Sequence, residues 1–223
     1  WSKTLQPLLD LFFRGNNFTD PINGKSYRKF LPYGYVKQRK NALCPGTLSL
    51  ERHRLLWLYL TNETDFFTKK IRVLHIAPEQ CFYKIFKNLE NINYTTFDLN
   101  SPLADVKGDI CIMPFKNNSF DYVLCNHVLE HISDDKKAMM EIFRVLNFNG
   151  TAILQVPINM SNTTTLEDSG ITNKQERIEK FGQYDHVRLY GLDYFKRLKN
   201  IGFDVNQVKY ALNFNEKEIL KYS

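Results

Sequence analysis

The 223-residue sequence predicts an α/β fold in which helices cover both faces of a mostly parallel sheet. From residue 71 onwards, short apolar segments alternate with segments of helical periodicity, which is the pattern of parallel strands joined by crossover helices. Hydrophobic residues make up 43% of the chain, so a buried sheet is within reach. The length suits one large domain, or one domain with a small appendage.

The residues before this alternation predict a separate N-terminal segment. Residues 3–13 are apolar and predict a short helix, whereas residues 20–47 are turn-rich, aromatic and basic. Ser49 can cap a helix predicted for residues 50–60, in which four leucines and Tyr59 provide the packing face. We therefore expect a small segment at 1–47 and a larger domain at 48–223.

The larger domain begins with a clear strand, helix and strand. Residues 71–76 predict a strand, residues 79–89 a helix, and residues 93–97 a second strand that ends on Asp98. A brief strand at 109–112, a strand at 120–126 and a helix at 134–146 follow. Asn149 and Gly150 then predict a turn into a strand at 151–156.

The last third of the chain departs from this rhythm. Residues 158–182 are polar, and a segment of that length between sheet elements predicts a lid or a disordered loop. Helical periodicity returns at 190–199, and a further strand is predicted for 202–211. Residues 215–222 predict a final helix.

The charge distribution and the cysteine content limit the classes of function that the chain can have. The net charge is +6, and basic residues cluster before residue 55: Lys25, Arg28, Lys29, Lys37, Arg39, Lys40, Arg52 and Arg54. Such a cluster binds phosphate groups or nucleic acid, or is an ordinary solvated face. The four cysteines lie in or beside apolar runs without framework spacing, which favours reduced thiols and a cytoplasmic location. No apolar run of membrane-spanning length and no signal-peptide pattern is present, so no membrane partner is expected.

The end of the first predicted strand of the sheet is the expected ligand site. In open parallel sheets, ligands bind at the carboxyl ends of the strands. The turn at residues 73–79 precedes a helix, whose free N–H groups suit polar ligand groups. Asp98 lies 19 residues beyond Glu79 at the end of the next strand, where a carboxylate can hold ribose hydroxyls. A lone aspartate at that position is also compatible with a simple turn cap.

Three further stretches carry a family resemblance. They are G-D-I-C-I-M-P-F-K-N-N-S-F-D-Y-V at 108–123, V-L-E-H-I at 128–132 and E-I-F-R-V-L-N-F-N-G at 141–150. Their order and spacing resemble the small class I, S-adenosylmethionine-dependent methyltransferases of the methyltransferase-11-like family, over residues 71–157. The resemblance implies a Rossmann-like fold, S-adenosylmethionine as cofactor and S-adenosylhomocysteine as product. The sheet of that family usually ends in a hairpin of sixth and seventh strands, and we expect the seventh to be missing here.

The resemblance also implies roles for individual residues. Asp98 would bind the ribose hydroxyls with Leu99 on the adenine, and Asp109 would accept from the adenine amino group. Three other residues would line the cofactor: Ile110 beside the adenine, and Asn126 and His127 on the methionine side. In the first motif, this chain has His75, Ala77 and Glu79 where the family has an acidic residue and glycines. Either Glu79 supplies the missing carboxylate, or cofactor binding is weakened or lost.

The acceptor side has two candidate bases, His131 and His186. His131 lies at the position that the family places near the substrate pocket, and a structural role is the alternative. His186 follows the polar insert in the run Y-D-H-V-R-L-Y at 184–190, where Tyr184 and Arg188 are candidate substrate-binding residues. Arg188 would suit an anionic substrate group. A salt-bridged helix start is the other interpretation of this run.

The N-terminal segment has a second, fainter resemblance. Asp20-x-x-Asn23 and Cys44-x-x-Thr47 share the frame of a zinc ribbon that has two pairs of cysteines. Because Cys44 is the one good zinc ligand among them, the segment is interpreted as a degenerate ribbon or a chance match. No metal is therefore predicted for the chain.

The sequence thus predicts a methyltransferase that acts on a small-molecule acceptor. Two alternatives stay open. The first is an RNA methyltransferase that uses the basic N-terminal segment, in particular Lys37, Arg39 and Lys40, to bind phosphates. The second is a non-catalytic, cofactor-binding protein of the same fold, which the altered first motif favours.

Overall fold

The computed structural model describes residues 5–34 and 38–223. Lys37 of the predicted basic segment and the first residues of the predicted 3–13 helix lie outside the described residues. The contacts divide the chain into two units. The first comprises Trp1–Lys69, Glu79–Leu89 and Val208–Ser223, and the second comprises Lys70–Pro78 and Glu90–Gln207.

The described residues form strands and helices that alternate over most of the chain. The strands are β1 (Arg14–Asp20), β2 (Lys25–Tyr27), β3 (Leu31–Tyr33), β4 (Arg39–Leu43), β5 (Ile71–Ile76), β6 (Ile92–Asp98), β7 (Val106–Lys107), β8 (Phe120–Asn126), β9 (Leu146–Gln155), β10 (Leu166–Glu167) and β11 (Arg188–Leu189). The helices are α1 (Gln6–Phe12), α2 (Glu51–Glu63), α3 (Gln80–Lys87), α4 (Asp135–Val145), α5 (Lys174–Phe181), α6 (Tyr194–Ile201) and α7 (Glu216–Tyr222). Short 3-10 helices lie at Leu129–His131 and Tyr210–Asn213.

The second unit is built on a five-stranded sheet with the order β7-β6-β5-β8-β9. All four of its strand pairs are parallel, which confirms the predicted Rossmann-like α/β fold. The chain runs from β5 outwards to β7 on one side and then returns to β8 and β9 on the other. The strand order therefore reverses beside β5, which is where open α/β sheets bind their ligands.

The core of this unit explains why α4 forms where it does. Ala138, Met139, Ile142 and Val145 are all fully buried, at the spacing that places them on one face of a helix. Asp134 caps α4 by accepting a hydrogen bond from Lys137 N. These side chains share a buried cluster with residues of β5 and β8.

Two elements predicted for this unit are wrong. Residues 109–112 form a turn, because Asp109 Oδ1 accepts a hydrogen bond from Cys111 N at 2.8 Å, and the edge strand lies earlier, at β7. Asn149 and Gly150 do not interrupt the sheet, because β9 runs through them. β9 has more residues than β8 in this stretch, so the pairing of the two strands is irregular between Phe120 and Tyr122 of β8.

The polar insert at 158–182 has more regular structure than the sequence predicts. It contains β10, which pairs with β11, and helix α5, which Asn173 caps. The helix predicted at 190–199 begins later, at Tyr194. The strand predicted at 202–211 is wrong, since this segment holds no strand and Phe203 packs edge-on against Phe143 of α4 instead.

The first unit contains two antiparallel hairpins, β1–β2 and β3–β4, in the stretch that the sequence describes as turn-rich. The described part of the predicted first helix is α1, and the final helix is α7. Helix α2 begins one residue later than predicted, and Ser49 does not cap it. Leu50 holds the cap position, and its N–H donates to Nδ1 of His53 at 3.0 Å.

The four residues of the ribbon-like frame lie in and beside these hairpins. Asp20 is fully buried, and its carboxylate accepts from Ile22 N at 3.0 Å and from the hydroxyls of Thr47 and Ser49. Asn23 donates to Tyr27 Oη at 2.9 Å. Hydrogen bonds therefore join the two halves of the frame, and the zinc-ribbon resemblance stays a prediction.

Within the part of the chain that the structure describes, no helix is long and apolar enough to cross a membrane. All four cysteines are free thiols, and Cys44, Cys81 and Cys125 are buried. Burial raises the pKa of the Cys44 thiol to about 12, so it is protonated at neutral pH.

Candidate active site

The ends of three neighbouring strands define the site. Ile76 of β5 pairs with Phe97 of β6 on one side and with Cys125 of β8 on the other. The residues that follow these three in the chain are Ala77, Asp98 and Asn126. They therefore lie side by side at the carboxyl edge of the sheet, next to the point where the strand order reverses.

The backbone at this edge is strained at two positions. Ala77 has φ +50° and His127 has φ +55°, a left-handed conformation that side chains other than glycine rarely adopt. Ala77 N donates to Phe97 O at 2.9 Å, and His127 N donates to the carbonyl of Gln155 at 2.8 Å. Such strain collects at binding and catalytic sites, where the surrounding structure enforces it.

Asp98 and Leu99 present a polar and an apolar group next to each other. Asp98 Oδ1 accepts from Asn100 N at 2.8 Å and from Ser101 N at 2.6 Å, which fixes the direction of the carboxylate. The Leu99 side chain is 62% exposed although it is apolar. A fixed carboxylate beside an exposed apolar side chain suits a ribose with its base.

The M-P-F loop at 113–115, which follows the Asp109 turn, is braced by Glu141 and Arg144 of α4. Arg144 donates to Phe115 O at 2.6 Å and to Met113 O at 3.0 Å, and Glu141 accepts from Met113 N at 2.7 Å. The hydrogen bond from Arg144 lowers the pKa of Glu141, so that this pair is ionised at neutral pH. The E-x-x-R stretch of the sequence therefore has a structural role, which is to hold the M-P-F loop beside the sheet edge.

A second group of side chains follows β8. Glu130 is 1% exposed, and neither of its carboxylate oxygens accepts a hydrogen bond among the described residues. His127 Nδ1 lies 3.2 Å from Glu130 Oε1. The rings of His131 and His186 meet edge to face with centroids 4.8 Å apart, so the fold brings both predicted bases together.

The two histidines are held by different partners. His186 is buried, and its Nδ1 lies 3.0 Å from Phe181 O, which makes Nδ1 the protonated nitrogen. Burial lowers the pKa of His186, so its ring is neutral at pH 7. His131 Nδ1 lies 3.4 Å from Asp185 Oδ2 and 3.3 Å from the Asp185 carbonyl oxygen.

The comparisons with known proteins agree with this geometry. Residues 68–154 match the sequence profile of a family described as a methyltransferase domain. The matched range contains β5, α3, β6, β7, β8 and α4 and most of β9. Residues 68–154 are thus similar to a methyltransferase domain. The cofactor that its family implies is S-adenosylmethionine.

A curated relative is an uncharacterized protein of Methanocaldococcus jannaschii, 40% identical over 81 residues. These residues cover 34% of this chain and 35% of that protein, so the match spans about a third of the relative. Among solved structures, the cyclase SpnF is 15% identical with a TM-score of 0.56, covering 91% of this chain and 71% of SpnF. A candidate methyltransferase of Bacillus halodurans is 21% identical with a TM-score of 0.49, covering 70% and 67% of the two chains.

The guanidinium of Arg188 is hydrogen-bonded to other groups of the protein. It is 4% exposed and donates to Leu129 O at 2.9 Å, to Ser133 O at 2.9 Å and to the carbonyl of Ile132. Its Nε also donates to Glu167 at 3.1 Å. Its predicted contact with a substrate stays a prediction, and its evident role is to fix the segment that holds Glu130 and His131. Tyr184 is 45% exposed and therefore accessible.

Two residues of the altered first motif lie in different settings. His75 is fully buried within β5, and its Nδ1 lies 2.7 Å from Tyr94 Oη. Glu79 precedes α3, and its Oε1 lies 3.8 Å from His53 Nε2 within the first unit. The cofactor contacts predicted for both residues stay predictions.

Sequence reasoning missed Glu130 and Asp185 as site residues. Each precedes a predicted base directly in the chain, in Glu130-His131 and Asp185-His186. That adjacency was the available signal. The separation of 54 positions between His131 and Asp185 hid the contact between the two pairs.

Proposed function

We propose that this chain transfers a methyl group from S-adenosylmethionine to a small-molecule acceptor by in-line displacement. The observation that carries the proposal is the alignment of Ala77, Asp98 and Asn126 at one edge of the parallel sheet. An acidic group at the end of the second strand of the sheet is where such sheets hold a ribose. The match of residues 68–154 to a methyltransferase domain supports the same reaction.

The residues at this edge fit the cofactor. Asp98 would bind the ribose hydroxyls, since its carboxylate is fixed by two backbone N–H groups. The exposed Leu99 would pack on the adenine, with Asp109 and the buried Ile110 beside it. Asn126 and His127 would line the methionine end. His75, Ala77 and Glu79 are the cofactor-binding candidates of the first motif.

The loss of glycine from the first motif does not remove the turn. Ala77 adopts the left-handed conformation that glycine would adopt without strain. The chain would therefore keep the backbone shape that a glycine gives such a turn, at a modest energetic cost. This observation favours a working cofactor site over the non-catalytic alternative.

The chemistry left to the protein is alignment and removal of a proton. When bound, S-adenosylmethionine supplies a methyl group that is already activated on a sulfonium. For a hydroxyl or amine acceptor, a neutral imidazole is a suitable base. His186 fits this role, because burial keeps it neutral and Phe181 O fixes its tautomer. His131, oriented by Asp185, is the second candidate, and Tyr184 and Arg188 would help to bind or shape the acceptor.

Three of the basic N-terminal residues have partners within the protein, which weighs against RNA as the acceptor. Lys25 pairs with Asp10 at 3.0 Å and Arg39 with Glu51 at 2.9 Å. Arg54 is 1% exposed and donates to backbone carbonyls. Paired and buried cations offer little free charge to phosphates. A cytoplasmic location is the further expectation that the free, mostly buried thiols support.

Isothermal titration calorimetry with S-adenosylmethionine and S-adenosylhomocysteine tests the proposal. We expect binding of both ligands at one per chain. Glu79→Ala is expected to weaken the binding, whereas Glu90→Ala, which removes an exposed glutamate, is the matched control. Absence of measurable binding of either ligand would refute the proposal, and unchanged affinity in Glu79→Ala would refute the role given to Glu79.

Transfer of radiolabelled methyl groups distinguishes the acceptor classes. A pool of small hydroxyl and amine compounds is expected to take the label, and total RNA is not. Label in RNA that is lost when Lys37, Arg39 and Lys40 are neutralised together, with a steep salt dependence, would favour the RNA alternative.

A further inference from the structure

We propose that Glu130, His131 and His186 form a binding site for a divalent transition metal such as Zn²⁺. Each of the three side chains offers one ligand atom, and these atoms all lie within 4.8 Å of one another. Carboxylate oxygen and imidazole nitrogen are both common zinc ligands. The sequence predicted no metal, because its cysteines lack the spacing of a zinc site.

The state of the Glu130 carboxylate points to a cation. The residue is 1% exposed, and neither carboxylate oxygen accepts a hydrogen bond among the described residues. An ionised carboxylate in such a place is costly unless a positive charge compensates it. The His127 ring lies 3.2 Å away, but it is positive only when protonated, and its side chain is 31% exposed. A bound divalent cation would supply that compensating charge.

The hydrogen bonds of the two histidines are those of metal ligands. Ligating histidines usually donate one ring N–H to a carboxylate or a backbone carbonyl, which leaves the other nitrogen for the metal. His186 Nδ1 is 3.0 Å from Phe181 O. His131 Nδ1 is 3.3 Å from the Asp185 carbonyl oxygen and 3.4 Å from Asp185 Oδ2. Nε2 is therefore the atom that each ring has to offer.

The segments that carry the three residues are tied together. Val187 N donates to Glu130 O at 2.9 Å. The Arg188 guanidinium donates to Leu129 O and Ser133 O, both at 2.9 Å, on either side of the pair Glu130-His131. The backbone of the site is thus fixed before a metal arrives, which reduces the entropic cost of binding.

The ligand set indicates the type of site. Ligand atoms around a tetrahedral zinc lie about 3.4 Å apart, given bond lengths of about 2.1 Å. The three ligand atoms would have to move by roughly 1 Å each, through rotation of their side chains, to reach that spacing. Three protein ligands leave one position open, as in catalytic zinc sites.

The consequence for catalysis rests on the proposed function, whereas the binding itself does not. An acceptor hydroxyl bound at the open position would have a lowered pKa, because the cation stabilises the alkoxide. His131 and His186 would then act as ligands rather than bases, and the proton of the acceptor hydroxyl would pass to solvent water.

The test is titration of the metal-free full chain with Zn²⁺ by calorimetry and with Co²⁺ by visible absorption. We expect one ion per chain and a cobalt spectrum without the charge-transfer band of a thiolate ligand. Glu130→Gln and His186→Asn are each expected to weaken binding roughly 100-fold, and Asp185→Asn about 10-fold. Two matched controls, Glu179→Gln on the exposed face of α5 and Cys111→Ser, are expected to bind like the wild type.

Several results would overturn the proposal. They are no binding at micromolar protein, affinity unchanged in both Glu130→Gln and His186→Asn, or binding lost in Cys111→Ser. If either ligand variant loses its circular dichroism spectrum, His131→Asn gives the same comparison, because the side chain of His131 is 29% exposed. Calorimetry with S-adenosylmethionine in the presence of a chelator separates failure of the metal site from failure of the proposed function.

Discussion

Two buried carboxylates, Asp20 in the first unit and Glu130 in the second, differ in one respect. Both are at most 1% exposed. Asp20 accepts hydrogen bonds from one backbone N–H and two hydroxyls, whereas Glu130 accepts none among the described residues. A buried polar group that is fully hydrogen-bonded stabilises the fold, and one that is not is maintained at a cost in stability. The comparison therefore separates a structural region from a functional one.

The largest expected effect on stability belongs to Asp20. Asp20→Ala leaves the Ile22 N–H and the hydroxyls of Thr47 and Ser49 without their acceptor, and we expect a loss of about 3 kcal/mol in the free energy of unfolding. Urea denaturation measures it. The control is Asp168→Ala, in which an exposed aspartate makes the same turn by accepting from Gly170 N at 2.9 Å. Equal losses in both variants would mean that burial of the Asp20 network adds nothing.

Asp98 should show the opposite balance, with a large effect on binding and a small one on stability. Asp98→Asn keeps an oxygen that can accept from Asn100 N and Ser101 N, but it removes the charge. We expect the affinity for S-adenosylmethionine to fall about 100-fold, since charge-assisted hydrogen bonds contribute about 1.5–3 kcal/mol. Calorimetry measures the affinity, and urea denaturation should show little change. If Asp98→Asn lowered the free energy of unfolding but left the affinity unchanged, Asp98 would be a structural residue like Asp20.

The smallest expected effect concerns the strained turn. Ala77→Gly relieves a left-handed alanine, which costs about 1–2 kcal/mol, but it adds unfolded-state entropy. We expect the free energy of unfolding to increase by about 0.5–1 kcal/mol. Tm should rise accordingly, by roughly 2–4 °C for each kcal/mol gained. Differential scanning calorimetry measures this. Ala104→Gly should lower Tm, and a drop in both variants would show that Ala77 is not strained.

The sequence predicted those elements that are set by local pattern. Strands β5 and β8 have the predicted bounds, because their apolar runs are continuous and end in polar residues. The strand predicted at 202–211 failed because alternation alone does not supply a partner strand, and Phe203 found its contact on Phe143 instead. The 109–112 strand failed because the Asp109 side chain makes a turn.

The candidate site was predictable in part for the same reason. Asp98 and Asn126 follow strands, so the sheet itself places them at one edge. The group around Glu130 depends on the hydrogen bonds of Arg188 and Val187 to the 129–133 segment, and these join residues more than 50 positions apart. No local pattern contains such contacts.

The free energy of unfolding of Glu130→Met, measured in metal-free buffer at pH 7, tests the contrast between the two carboxylates most directly. Methionine has a similar length and removes a buried carboxyl group that accepts no hydrogen bond, so we predict a stability equal to or above that of the wild type. The same variant should lose the metal. A loss close to the ~3 kcal/mol expected for Asp20→Ala would contradict the account, because it would make Glu130 a structural residue like Asp20.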